Sequence, residues 1–112
     1  MSEPDFDERR ENQRVPLTLH VQYTLEDGEI RSGTVQNISK GGVLLVSDVV
    51  VPLGTKLEIH FRDPKAERLV HVSGKVIRSA AAGEFGVSFV YMSSEASAFV
   101  QSASEGPGLQ HL

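Results

Sequence analysis

The chain has no cysteine, no tryptophan, few aromatic residues and no apolar run of membrane-spanning length. Without cysteine there is no disulfide framework, no thiolate metal centre and no cysteine nucleophile, which fits a reducing compartment. Aromatic residues make up 6% of the chain, too few to build the stacking platform of a single-strand nucleic-acid binder. Basic residues are also outnumbered, 11 Lys and Arg against 15 Asp and Glu, for a net charge of -4. Affinity for DNA or RNA comes largely from phosphate neutralisation by a basic face, so a general nucleic-acid role is disfavoured. A small anion needs only a few local cations. The N-terminus is acidic and polar, unlike a signal peptide, and nothing approaches the length of a membrane span. The expected location is the cytoplasm, without membrane insertion.

What is present describes one domain. At 112 residues, with 39% hydrophobic and 23% charged, the chain suits a single globular unit with a modest core. That core must come from Val, Leu and Ile, and the abundance of Val favours strands, because a branched Cβ packs well on a pleated surface. Residues 1–8 are acidic and nearly devoid of apolar side chains and are expected to be a disordered tail. Residues 9–14 form an arginine-bearing linker. From Val15 the alternation of Leu17, Leu19, Val21 and Tyr23 with polar residues marks a first strand. Asp27-Gly28 supplies hairpin chemistry, and Ile30 to Ile38 follows as a second strand, in which Gly33 suggests a bulge or bend.

Val43 to Val46, Leu57 to Phe61, Leu69 to Ser79 and Phe85 to Phe89 continue the pattern to six strands. Ser93 or Ser94 can cap a helix, and Ala96, Phe99 and Val100 have the spacing that lays one apolar face on the sheet. The reading is therefore all-β with a terminal helix: a six-stranded antiparallel barrel over 15–91, a helix over 93–102 and a disordered tail over 104–112. Closing the sheet removes the free edges that invite aggregation.

Two stretches carry candidate chemistry. Arg9, Arg10 and Arg14 concentrate guanidinium groups, whose planar fork matches phosphate oxygens and guanine edges. Asn37-Ile38-Ser39-Lys40-Gly41-Gly42, between two strands, supplies an amide that both donates and accepts, a hydroxyl, and glycines that let backbone N–H groups approach an anion. On those residues alone a self-compensated solvated linker and a plain turn are the plainer accounts of the two stretches. The histidines His20, His60 and His71 fall on the polar phase of strands, where an exposed side chain is the plain explanation. His60 and His71 can meet across adjacent strands as metal ligands, but no third ligand is evident. No Ser-His-Asp order, catalytic carboxylate pair or phosphate-loop motif points to an enzyme.

In order, Arg10-Glu11-Asn12-Gln13-Arg14 and Asn37-Ile38-Ser39-Lys40-Gly41-Gly42, an R-x-x-x-R and a [D/N]-x-S-x-x-G one hairpin apart, resemble the PilZ family of bacterial cyclic di-GMP receptors. The resemblance covers roughly Arg9 to Val100. It implies a six-stranded β-barrel with a C-terminal helix and a non-catalytic role in motility, biofilm or related signalling. It also implies a ligand, cyclic di-GMP, with no further cofactor and no metal. Arg10 and Arg14 map onto the family's two arginines, and Asn37, Ser39 and Gly42 onto its second motif, with Arg9 and Gly41 as additional ligand candidates. The family often carries Asp where this chain has Asn37. The expected mechanism is an arginine linker that orders over the ligand and alters a surface read by an unidentified protein effector, in a monomer or weak homodimer. Arg9 beside Arg10 favours a pair of ligands over one. The alternative is a PilZ-like adaptor for motility or pilus machinery that binds no nucleotide, against which the intact motif residues argue.

Overall fold

The structure, a computed structural model, describes residues 14–65, 67–80 and 83–105. Six strands and one helix follow in order: β1 Val15–Leu25, β2 Ile30–Ile38, β3 Gly42–Ser47, β4 Lys56–Arg62, β5 Leu69–Ser79, β6 Glu84–Met92 and α1 Ser94–Glu105. All neighbouring strands are antiparallel, and the sheet closes into a barrel in the order β1-β2-β3-β6-β5-β4.

Local chemistry explains the hairpins. At the β1–β2 turn Gly28 takes φ 90°, a conformation open to glycine, and Asp27 Oδ1 accepts the Glu29 amide. At the β5–β6 turn Gly83 takes φ 83°, and its carbonyl accepts the Ser47 amide at 2.9 Å, tying this turn to the end of β3.

The interior is filled by alternate residues of every strand. Val21, Tyr23, Val35, Leu45, Ile59, Val72, Val76, Phe85 and Val87 are all buried. Tyr23 and Phe85 meet edge to face at 5.6 Å, a favourable arrangement of ring quadrupoles. The Tyr23 hydroxyl would be costly to bury alone, and it is paired with Ser47 Oγ at 2.6 Å. α1 closes one end of the barrel: Ala96 and Val100 are buried, and the Phe99 ring lies 4.9 Å from that of Phe61. Ser93 is the N-cap, its Oγ accepting the Ala96 amide at 3.1 Å.

Two local expectations are corrected. Gly33 sits in regular register opposite Val21 and Ser47. Its role is clearance, since a Cβ there would lie 3.3 Å from the Tyr23 ring. The bulge in β2 falls instead at Gln36, between the Val35 and Asn37 pairs. The helix runs on to Glu105 rather than ending at residue 102, because half-buried Ala103 packs against the core and extends its apolar face. The acidic tail 1–8, Arg9 and Arg10, and the end of the chain from 106 lie outside the described residues.

Candidate functional site

Two irregularities in pairing create the surface around Asn37. The β1–β2 register shifts between Pro16↔Asn37 and Leu19↔Val35. The β2–β3 register shifts between Val35↔Leu45 and Asn37↔Leu44, leaving Gln36 as an extra residue in β2. In a regular strand Asn37, two residues from inward-facing Val35, would point into the core. The extra residue reverses the phase, so Ile38 is buried and Asn37 shares the outer face with Leu44.

Arg14 stands immediately before β1, where the β1–β2 pairing brings Val15 opposite Ile38 and Pro16 opposite Asn37. Its Nη1 donates to Asn37 Oδ1 at 2.9 Å in an exposed position. The structure thus joins one arginine of the first stretch to the leading residue of the second. The contact uses one donor of the guanidinium fork and the amide oxygen of Asn37, so other donors of both groups have no partner among the described residues.

The turn beyond Asn37 is organised by its own residues. Ser39 is 2% exposed. Its backbone N–H donates to the Gly42 carbonyl at 2.8 Å, and its Oγ accepts the Gly41 amide at 3.3 Å. The Gly41 carbonyl accepts the Phe89 amide at 2.9 Å, locking the turn to β6. Gly42 is required by proximity: a Cβ there would fall 2.1 Å from the Val87 carbonyl oxygen. Asn37 is therefore a surface group, while Ser39 and Gly42 shape the turn that presents it. The intervening Lys40 is exposed.

The histidines lie elsewhere on the barrel. His60 and His71 are direct partners across β4 and β5, with rings stacked at 4.8 Å and only 10° apart in plane. Parallel rings direct their in-plane lone pairs side by side instead of toward one point, and among the described residues no group of three or more His, Asp or Glu side chains could hold a metal ion. His71 pairs with Glu58, and Ser73 Oγ donates to the same carboxylate at 2.9 Å. Partial burial pushes the Glu58 carboxyl up, but the hydrogen bonds from His71 and Ser73, with the charges of His71 and His60, outweigh it and hold the group below its usual value of 4.5. A carboxyl depressed in the folded state contributes stability above its unfolded value and loses it as the pH falls through the folded one. Thermal melts should therefore find Glu58→Gln slightly less stable than the native chain above about pH 5, the gap closing as the pH drops below 4.5.

Among the described residues no helix is long and apolar enough to cross a membrane. A comparison with curated protein sequences finds no match. Solved structures with the same fold include the PilZ domain of CeSA from a cellulose-synthesizing bacterium, at 20% identity and TM-score 0.65 over 88% of this chain and 98% of that one. The Bacillus subtilis inhibitor of motility MotI/DgrA matches at 20% identity and TM-score 0.66 over 82% of this chain but 48% of that one. The PilZ domain of YcgR from Escherichia coli, solved with c-di-GMP, matches at 16% identity and TM-score 0.65 over 87% of this chain and 92% of that one. Identities this low establish the fold alone. A sequence model of the PilZ domain matches residues 8–104, nearly the whole chain, and so the protein belongs to the PilZ domain family, a family of non-catalytic domains that typically bind cyclic di-GMP.

Proposed function

We propose that this protein binds cyclic di-GMP on the outer face of the barrel around Asn37 and passes the signal to a protein partner in the cytoplasm. The observation that carries the reading is the 2.9 Å contact between Arg14 and Asn37, which draws the two motifs into one exposed polar surface. The guanidinium fork suits a phosphodiester oxygen or a guanine edge, and the Asn37 amide can both donate to and accept from guanine. Ser39, Gly41 and Gly42 hold the floor beneath them.

Arg14 rests on the floor, and residues 9–13 of the linker lie outside the described residues. Arg9 and Arg10 supply the further cations in this proposal. Ligand contacts made only in the closed arrangement shift the population toward it, and that change is what a partner reads. Calorimetric titration with cyclic di-GMP tests the proposal: saturable binding is expected, and no heat or saturation at high micromolar ligand overturns it. The stoichiometry from the same titration distinguishes one ligand from the intercalated pair that Arg9 beside Arg10 favours.

A second reading, an adaptor that binds no nucleotide, is favoured by one observation. Ser39 and Gly42 have turn-forming and packing roles of their own, so the second motif can persist for the turn alone. The same titration separates the two readings, because an adaptor of this kind gives no saturation.

A further inference from the structure

β1 pairs with β2 from Val15 to Thr24 but with β4 only from Gln22 to Leu25. Upstream of Gln22 the second edge of β1 has no partner strand among the described residues. An open strand edge of this kind receives extended segments. Val15, Leu17 and Leu19, on the core-facing phase of this stretch, are accordingly only half-buried. α1 approaches them with small residues, Ala98, Ser102 and Ala103, which leave space around Phe99, and the β4–β5 connection forms the opposite wall. Between them lies a largely apolar groove of about 600 Å³. Leu17, Leu19 and Phe99 line both this groove and the adjoining barrel interior.

The acids of its rim are engaged, while its bases are available. Asp63 Oδ1 accepts the Lys65 amide at 2.9 Å, and Glu95 lies 4.0 Å from Arg68. The Lys65 ammonium has no ion-pair or hydrogen-bond partner among the described residues, and the Arg68 side chain is 62% exposed. Such a groove suits an apolar side chain flanked by acids. One segment of the chain has that character and joins the barrel beside the groove. Asp5-Phe6-Asp7-Glu8 sets the one aromatic residue of 1–13 among three acids, and Arg14 directly precedes groove-lining Val15. Eight residue steps (14 − 6) separate Phe6 from Arg14, a reach of up to about 29 Å. A tether that short gives the segment a roughly millimolar effective concentration at the groove. Residues 106–112, which follow α1, contain no acid.

We propose that the acidic N-terminal segment docks in this groove, seating Phe6 between β1 and α1 with its flanking acids toward Lys65 and Arg68. Docking requires no nucleotide, so the inference stands or falls apart from the cyclic di-GMP reading. It anchors the arginine-bearing stretch at both ends, in the groove and at Asn37.

The native chain has no tryptophan and no cysteine, which makes two probes specific. In the full chain without nucleotide, the Phe6→Trp indole should emit at shorter wavelength than in the urea-unfolded chain and resist acrylamide quenching. The Phe6→Cys/Ser102→Cys pair should close into an intramolecular disulfide at least about tenfold faster than Phe6→Cys/Lys56→Cys, because docking raises the local thiol concentration. Ala98→Glu, at an exposed position lining the groove, sets a like charge against the segment, and Lys65→Glu/Arg68→Glu reverses the rim. Each should return the Phe6→Trp emission toward its unfolded value, and raised salt should do so in part. Circular dichroism confirms that these variants fold. Emission at the unfolded wavelength, or a blue shift that Ala98→Glu and the charge reversal both leave untouched, overturns the proposal. A shift that vanishes on dilution also overturns it and assigns the groove to a second copy of the chain.

Discussion

Arg14→Ala should weaken cyclic di-GMP binding by at least about a hundredfold while leaving the melting temperature nearly unchanged. A hydrogen bond to a charged group contributes about 1.5–3 kcal/mol, and each 1.4 kcal/mol is about tenfold in affinity. The Arg14 fork can make more than one such bond to a phosphodiester or guanine edge. Removing it also withdraws the 2.9 Å partner of Asn37 Oδ1, so the amide is no longer held in one orientation. The stability effect is small because the contact is exposed, and water replaces the lost donor. Arg14→Lys should fall between the two, since an ammonium keeps the charge without the planar pair of donors. Calorimetry with thermal melts on the same samples checks both halves. Native affinity in Arg14→Ala would remove Arg14 from the site.

Gly42→Ala should be the most damaging single methyl in the second motif. The new Cβ would lie 2.1 Å from the Val87 carbonyl oxygen, which is backbone in the neighbouring strand and cannot rotate aside. Relief requires β3 and β6 to separate where Gly42 pairs with Ser88. Overpacking of this kind costs about 3 kcal/mol, which lowers Tm by roughly 10–20 °C in a domain of this size. Binding should fall as well, because the turn that carries Asn37 is fastened to β6 through the Gly41 carbonyl and the Phe89 amide. Gly28→Ala separates steric clash from conformational strain. Gly28 has positive φ, but nothing lies within 4 Å of the added Cβ, so the cost there should be about 1 kcal/mol. Equal melts for the two variants would contradict the close approach of β3 to β6.

The local features of the fold were legible because they are carried by local chemistry. Alternation from Leu17 to Tyr23 and from Val70 to Val76 appears in the structure as inward and outward faces, and Asp27-Gly28 forms its hairpin with the φ that glycine permits. The sequence offers Ser93 or Ser94 as the helix cap, and the structure selects Ser93. The bulges were not legible. Gly33 looks like the irregular residue because glycine often marks one, yet it keeps regular register, and a Cβ there would press on the Val46 carbonyl oxygen at 3.2 Å and the Tyr23 ring at 3.3 Å. The residue actually left over is Gln36, and its neighbours in the chain do not distinguish it from any polar strand residue.

The same division runs through the candidate site. Residue types and order determined by themselves that a guanidinium-bearing linker precedes an Asn-x-Ser-x-x-Gly turn, and so pointed to the PilZ family and to the chemistry of an anionic guanine ligand. Tertiary structure decided which of those residues face outward. Asn37 reaches the surface through a register shift, Ser39 is buried as a turn former, and Gly42 is small because a carbonyl of β6 stands where its side chain would be. The physical reason is that side-chain direction in a strand follows a period of two that one extra residue inverts. Whether a strand takes up that extra residue is set by its partners across the sheet.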